Sequence, residues 1–142
     1  MINARAETVA TKPAFRSAFR YRRCLVPADG FYEWRKQGAR KQPYPMCLAD
    51  GAPFTFAGLW EHWTGPDGYV IQSFTIVVTE ANELLRPIHN RMPVILDPAD
   101  YGLWLGEKAE SGTGVRSLLK PFSAEATRLG NLCFRRFNRL RL

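Results

Sequence analysis

The sequence predicts one α+β domain, spanning residues 1–142, in which a largely antiparallel sheet is flanked by short helices. Apolar and β-branched runs separated by Gly and Asp turn signals indicate successive antiparallel strands, and the helical segments interrupt them too irregularly for a βαβ repeat. With 46% hydrophobic and 23% charged residues, 142 residues suffice for one packed core. The apolar runs are far shorter than the roughly 20 residues that span a bilayer. We therefore expect a cytoplasmic protein that does not bind a membrane.

The first elements are an extended segment, a helix and two strands. Ile2 to Val9 is predicted to be extended, and Thr11 and Pro13 provide a cap and a first turn for a helix whose apolar face ends at Phe19. The two strands, which a glycine turn separates, are Arg23 to Pro27 and Phe31 to Arg35.

Glycine turns divide the middle of the chain into further strands. Gln37-Gly38 predicts a hairpin, and Asp50-Gly51 and Gly65 to Gly68 mark two more turns. The strands that these turns delimit are Tyr44 to Ala49, Phe54 to Trp60 and Tyr69 to Thr79.

The remaining third mixes short helices and strands. Glu80 to Arg86 is predicted as a short helix and Met92 to Leu96 as a strand. Asp97-Pro98 predicts the cap and first turn of a helix that continues to Leu105. The basic, apolar stretch from Leu132 to Leu142 has no turn signal, and a flexible arm and an edge strand both fit it.

Glu33 is the first candidate for chemistry, because large aromatic residues flank it in a predicted strand. Partial burial among Phe31, Tyr32 and Trp34 would raise the pKa of its carboxyl and make it a usable general acid or base. The alternative is a strand that alternates, with Glu33 facing water.

His89 is the second candidate, since it lies between two prolines that restrict its loop. A loop on a rigid scaffold is a common place for an imidazole that transfers protons. The alternative is a histidine that only caps or hydrogen-bonds a turn. His62 is more typical of a surface or packing residue, and neither histidine has a second ligand at metal-binding spacing, so no metal site is expected.

Asn3 and Arg5 share one face of the extended N-terminal segment, because alternate residues of a strand point the same way. An amide beside a guanidinium could hold an oxyanion, a phosphate or a sugar oxygen, although both residues could equally be ordinary surface groups. The formal charge of +7 suits a polyanionic partner such as nucleic acid, but alone it is a weak signal.

Cys24 offers a thiol-peptidase alternative, with His89 as its base and Glu33 as the orienting group. Its position inside an apolar strand is more typical of a small buried residue than of a nucleophile.

Five segments together resemble the SOS response-associated peptidase family. The match covers roughly residues 2 to 106, and its most specific parts are the segments around Glu33 and His89. In chain order the segments are Asn3 to Thr8, Arg23 to Trp34, Phe56 to Glu61, Thr79 to Asn82 and His89 to Leu96.

The resemblance implies a bifurcated sheet rolled into a pseudo-barrel, with a basic groove for single-stranded DNA. Proteins of this family process abasic sites as part of the response to DNA damage: an N-terminal cysteine traps the ring-opened sugar as a thiazolidine crosslink, and self-processing exposes that cysteine. The implied partner is single-stranded DNA that contains abasic sites, with no cofactor and no obligate protein partner. In a bacterium, the protein would lie in the cytoplasm, near the nucleoid.

The family's functional residues map onto six positions. Glu33 would be the acid or base that opens the sugar and forms the imine, and His89 would assist proton transfer. Asn3 would hold the reacting group. The residues that would contact DNA are Arg5, Arg91 and Thr79.

The two ends of the chain depart from the family pattern. Family members begin with Met-Cys-Gly-Arg, whereas this sequence begins Met1-Ile2-Asn3, so we expect an N-terminal segment and its nucleophile to be missing. Cys24 cannot replace that nucleophile, because a mid-chain cysteine has no α-amine. Residues 123–142 form a divergent basic tail. A non-catalytic single-stranded-DNA-binding module is therefore the alternative reading of the same groove.

Overall fold

The structure, a computed structural model, describes residues 3–106 and 112–130. Within these ranges no helix is long and apolar enough to cross a membrane. The strands are β1 (Asn3–Arg5), β2 (Arg23–Ala28), β3 (Phe31–Gln37), β4 (Arg40–Leu48), β5 (Phe54–Thr64), β6 (Val70–Glu80), β7 (Arg91–Pro93), β8 (Ile95–Leu96) and β9 (Thr127–Leu129). The helices are α1 (Arg16–Tyr21), α2 (Tyr101–Leu105) and α3 (Gly112–Ser117), with a 3₁₀ turn at Pro98–Asp100.

A long hairpin of β5 and β6 is the centre of a six-stranded sheet. Its turn follows the predicted glycine signal, and Gly68 adopts the left-handed conformation at φ 80°. β2 flanks β5 in antiparallel pairing, and β1 flanks β6 with Asn3 opposite Ile76. The β1–β6 pair is parallel, so it is an exception to the predicted antiparallel pattern.

The sheet forks where β5 and β6 diverge. β7 pairs with β6 and β8 pairs with β5, so the short segment that they form fills the fork. Val94 lies at the branch: its N–H donates to the Val77 carbonyl at 2.9 Å, and its own carbonyl accepts from Ala57 at 2.9 Å. These pairings confirm the α+β fold with a branched, curled sheet.

A second sheet of three strands, in the order β3-β4-β9, faces the first one. The turn between β2 and β3 carries the chain from one sheet to the other, so these consecutive strands do not pair with each other. Each face of the six-stranded sheet consequently meets a different layer.

The helix-covered face of the six-stranded sheet packs against α1, α2 and α3. Its core includes Phe19, Leu59, Val77 and Trp104, and the Trp104 ring is fully buried. The inter-sheet face packs against the three-stranded sheet, with Met46, Phe56 and Met92 at its centre and Phe31 and Ile76 packed against them. Each core is contiguous, and neither extends over the whole sheet.

Three predicted elements differ from the structure. Residues 80–86 do not form a helix: the Asn82 side chain accepts from Leu85 N–H at 3.0 Å and donates to the Phe122 carbonyl at 3.0 Å, which stabilises a turn instead. The N-terminal extension ends at Arg5, because Val9 N–H turns back to its carbonyl at 2.8 Å. The first helix begins at Arg16, without a side-chain cap.

The helix after Asp97 is confirmed. The Asp97 carboxylate accepts from Ala99 N–H at 2.9 Å, and α2 ends at Gly106, whose φ is 83°. The predicted basic tail from Leu132 lies outside the described residues.

Candidate active site

Glu33 lies on β3 at the open end of the inter-sheet core. Alternate strand residues share a face, so Glu33 points the same way as Phe31, whose ring packs against Phe56 at 5.7 Å. The Glu33 side chain is 19% exposed. Burial raises the pKa of its carboxyl, against the opposing effects of the His89 charge and the Trp34 backbone N–H. The predicted partial burial of this carboxylate is therefore present.

His89 faces Glu33 from the end of the turn that precedes β7. Its Nδ1 lies 4.0 Å from Glu33 Oε2, and its backbone N–H donates to the Leu85 carbonyl at 3.0 Å. Nδ1 lies 3.1 Å from the Arg91 N–H and 3.2 Å from the Arg91 carbonyl, so the tautomer of the ring decides whether it accepts or donates there. The Glu33 carboxylate and the His89 ring therefore face each other, which brings the two sequence candidates together.

Arg91 and Glu7 form an ion pair that joins β7 to the turn after β1. Burial alone would raise the pKa of Glu7, but hydrogen bonds from its own backbone and from Arg91, with the charges of Arg91 and Arg5, lower it overall. Sequence reasoning missed Glu7. The alternation of Asn3, Arg5 and Glu7 was the signal that could have found it.

The side chains of Asn3 and Arg5 project from β1 on the inter-sheet face. Ala4 between them is fully buried in the other core, and Asn3 pairs with Ile76, which packs in the inter-sheet core. Arg5 is paired with Val78, two residues further along the same face of β6. Asn3, Arg5 and Arg91 are thus on the same side of the sheet as Glu33 and His89.

Thr79 is a buried residue of β6, only 5% exposed, and its cross-strand partner is Met92 of the inter-sheet core. Its hydroxyl donates to the Leu119 carbonyl at 3.4 Å, which fastens the segment after α3 to the sheet. Its contact with DNA stays a prediction.

A pocket of about 490 Å³ adjoins the Glu33 and His89 side chains. Besides Glu33 and His89, it is lined by Trp34, Lys36 and Lys41. The two-residue turn of the β3–β4 hairpin sets Lys36 directly opposite Lys41. Sequence reasoning did not single out these three residues, although the pairing follows from the length of that turn.

The structure also bears on metal binding, on His62 and on the Cys24 thiol. In residues 3–106 and 112–130, no group of three or more His, Cys, Asp or Glu side chains is placed to hold a metal ion. His62 lies on β5 beside the Trp60 ring, at 6.1 Å between centroids. Burial raises the pKa of the Cys24 thiol, which disfavours the thiolate that a nucleophile requires.

Fold and site together define an α+β protein whose branched sheet opens on a carboxylate–imidazole pair beside basic side chains. The chain belongs to the SOS response associated peptidase (SRAP) family, whose model matches residues 1–132. It is 46% identical over 126 residues to the abasic site processing protein YoaM of Bacillus subtilis, a match that covers 88% of this chain and 56% of the relative. It is 35% identical over 108 residues to abasic site processing protein YedK of Escherichia coli, covering 76% and 48%. The chain thus spans about half the length of these relatives.

Solved structures agree with this membership. A protein from Bacteroides thetaiotaomicron superimposes with a TM-score of 0.84 at 37% identity, over 89% of this chain and 56% of that one. A protein from Bordetella bronchiseptica gives 0.78 at 34% identity, over 89% and 63%. The branched sheet is therefore shared with experimentally determined structures.

Proposed function

We propose that this chain carries the acid–base and DNA-contacting part of a domain that crosslinks covalently to abasic sites in single-stranded DNA. The observation that carries the proposal is the Glu33–His89 pair: a carboxyl with a raised pKa lies 4.0 Å from an imidazole, at the edge of an open basic pocket. Imine formation needs one group that donates a proton and one that accepts a proton, and Glu33 and His89 would fill these two roles.

The proposed reaction begins with an amine that attacks the aldehyde carbon of the ring-opened sugar. The carbinolamine that forms loses its hydroxyl as water and becomes an imine. Protonated Glu33 would give the proton that the departing hydroxyl needs, and His89 would accept the proton that the amine loses. A thiol next to the amine then adds to the imine carbon, its proton passes to nitrogen, and a thiazolidine ring closes.

The basic and aromatic groups around the pair would hold the DNA strand. Arg5 and Arg91 would contact the phosphates that flank the lesion, and Lys36 and Lys41 would add positive charge at the other wall of the pocket. Like charges directly opposite each other destabilise a hairpin, and a bound phosphate would relieve that repulsion. Trp34, whose side chain is exposed, offers a ring on which a base could stack.

The proposed reaction uses the amine and thiol of an N-terminal cysteine, whereas residue 2 of the present sequence is isoleucine. In the family that this chain resembles, the cysteine follows the initiator methionine, and self-processing that removes the methionine would free its amine. The test is a chimera in which the part of YoaM that precedes the residues matched by this chain is fused before Asn3.

We expect the chimera to form a crosslink with a single-stranded oligonucleotide that contains an abasic site, visible as a shifted band in a denaturing gel. Changing the chimera's N-terminal cysteine to serine should abolish the thiazolidine. A folded chimera that binds the oligonucleotide yet never crosslinks would reject the proposal.

A second candidate function is a single-stranded-DNA-binding module that performs no chemistry. The observation that favours this function is the lining of the pocket. Lys36, Lys41 and Trp34 would bind a DNA strand without the help of any catalytic residue. In that case Glu33→Gln would leave every measurable activity of the chimera unchanged, while Arg91→Ala would weaken binding.

The thiol-peptidase alternative has less support. Cys24 lines an apolar groove with Val26 and Phe74, whereas His89 lines the pocket with Glu33. Cys24→Ser should therefore leave peptide cleavage, where any is detected, unchanged.

A further inference from the structure

The turn that follows β1 places the Glu7 carboxylate beside the two arginines that the proposed function assigns to DNA phosphates. Glu7 Oε1 accepts a hydrogen bond from Arg91 Nη1, and the positive charge of Arg5 also acts on this carboxylate. A phosphate and a carboxylate compete for the same guanidinium, because both bind it through negatively charged oxygen atoms. An acidic residue at this position therefore opposes the binding of DNA.

Hydrogen bonds hold the Glu7 carboxylate in place. The N–H groups of Thr8 and Val9 both donate to the Arg5 carbonyl, at 3.1 Å and 2.8 Å. The backbone N–H of Glu7 donates to the carboxylate of the same residue. The carboxylate thus meets Arg91 from a tight turn that closes on the last residue of β1.

Arg91 connects this turn to the imidazole of His89. The Arg91 backbone N–H and carbonyl oxygen lie 3.1 Å and 3.2 Å from His89 Nδ1. Within residues 3–106 and 112–130, the acceptor of the Arg91 guanidinium is Glu7, and the bond uses Nη1. A guanidinium carries five donors in a fixed planar fork, so Nη2 and Nε are left for a phosphate.

We propose that Glu7 is a positioning residue, which orients the Arg91 guanidinium so that its remaining donors hold a DNA phosphate in one place relative to Glu33 and His89. This role rests on the proposed function, since it needs a bound phosphate and a reacting sugar. The carboxylate lowers the affinity for DNA, because it repels each phosphate that approaches. It raises the rate of reaction, because a fixed phosphate keeps the aldehyde within reach of the proton-transfer groups.

The Glu61–Arg22 ion pair provides a matched control. Glu61 Oε2 lies 2.6 Å from Arg22 Nη2, and the Glu61 side chain is 49% exposed, against 46% for Glu7. Glu61 shares a face of β5 with Leu59, which packs in the helix-covered core. Glu61→Gln therefore removes the same charge and the same kind of ion pair on the side of the sheet away from the candidate site.

The first measurement is the affinity of the 142-residue chain for undamaged single-stranded DNA, by fluorescence anisotropy. Glu7→Gln should strengthen binding about threefold, because the charge that opposes the phosphates is gone. Glu61→Gln should stay within about 1.5-fold of the unmutated chain, since salt screens a distant exposed charge. In an Arg91→Ala background, Glu7→Gln should bring no gain, because the two residues act as one unit.

The second measurement is the crosslinking rate of the YoaM-fused chimera at saturating abasic DNA, which separates the rate from the affinity. Glu7→Gln should slow crosslinking about tenfold although it binds DNA more tightly, because the Arg91 guanidinium loses its orientation. Glu7→Asp keeps the charge on a side chain that is one methylene shorter, and it should slow crosslinking without strengthening binding. Glu61→Gln should react at the unmutated rate.

The opposite changes in affinity and rate decide the matter. Glu7→Gln that binds no more tightly than Glu61→Gln would overturn the proposal, and so would Glu7→Gln that reacts at the unmutated rate, which would make Glu7 a repulsive charge only. Loss of both affinity and rate would also overturn it, as the mark of a structural residue. These three results leave the proposed function standing. An unmutated chimera that binds DNA and never crosslinks would reject the proposed function, and the role of Glu7 with it.

Discussion

The two faces of the six-stranded sheet differ in what covers them. On the helix-covered face, three short helices close a core around Trp104, whose side chain is fully buried and whose Nε1–H donates to the Cys24 carbonyl at 2.9 Å. On the inter-sheet face, the apolar core ends part of the way along, and the remaining space holds Glu33, His89 and an apolar groove beside Val26 and Phe74. The helix-covered face is closed by apolar packing, which stabilises the fold. The inter-sheet face is only partly packed, and the rest of it carries polar groups and open surface.

The largest expected effect is on stability, from truncating a ring on each face. Trp104→Ala should lower the free energy of unfolding by about 3–5 kcal/mol, because it leaves a cavity and removes the hydrogen bond to the Cys24 carbonyl. Phe74→Ala, at a side chain that is 62% exposed, should change it by less than about 0.5 kcal/mol. Equilibrium unfolding in urea measures both, and equal losses would contradict the contrast between the faces.

The second effect is on DNA affinity. Arg91→Ala should weaken binding to single-stranded DNA about tenfold, since one charge-assisted contact contributes roughly 1.5 kcal/mol. It should also reduce the slope of log affinity against log salt by about 0.7. Arg16→Ala, on α1, removes the same charge from the helix-covered side. Fluorescence anisotropy at several salt concentrations compares the two, and an identical loss in both variants would mean that net charge alone binds DNA.

The sequence predicted most strands because turn signals and β-branched runs are local. It could not predict which strands pair: β2 and β3 are consecutive yet belong to different sheets, and β1 reaches β6 from seventy residues away in parallel. The helix expected at 80–86 failed because Asn82 hydrogen-bonds to Phe122, a contact that no local pattern contains. Tertiary hydrogen bonds thus decided the elements that periodicity missed.

The candidate site was predicted in the same uneven way. Glu33 and His89 were found from their neighbours and from the family resemblance, and the structure brings them together. Thr79 was named from the family resemblance alone, and the structure buries its side chain to 5% exposure. Glu7 was missed because its partner, Arg91, lies 84 residues further along the chain, and Lys41 because only tertiary packing brings the β3–β4 hairpin beside His89.

A smaller effect is the pH dependence of stability at Glu33. Its carboxyl pKa is raised by burial, so the folded state binds the proton more tightly than the unfolded chain does. The stability that this proton gives is present below the unfolded pKa and is lost as the pH rises through the folded value. Glu33→Gln should therefore become increasingly stable relative to the natural chain above about pH 4.5, the reference pKa. Thermal melts from pH 4 to 7 measure the difference, and the opposite trend would show that Glu33 is a stabilising charge.

The smallest effect concerns the Glu7–Arg91 ion pair. Its contribution to stability changes with pH in the direction opposite to that of Glu33. The pKa of Glu7 is lowered, so its contribution is present above the unfolded pKa and is lost as the pH falls. Because Glu7 is partly exposed, Glu7→Gln should cost no more than about 1 kcal/mol at pH 7. Urea unfolding at pH 7 and at pH 3 measures the change. A larger cost at the lower pH would contradict this assignment.

The central claim is that the open face holds a proton-transfer pair, and its most direct test is the crosslinking rate of the YoaM-fused chimera. Glu33→Gln should slow crosslinking by about 10²-fold or more, with DNA affinity within twofold of the unmutated chimera. Glu83→Gln, which removes an exposed carboxylate from the nearby turn, is the control and should leave the rate unchanged. If Glu33→Gln crosslinks as fast as Glu83→Gln, Glu33 does not transfer the proton and the account of the open face is wrong.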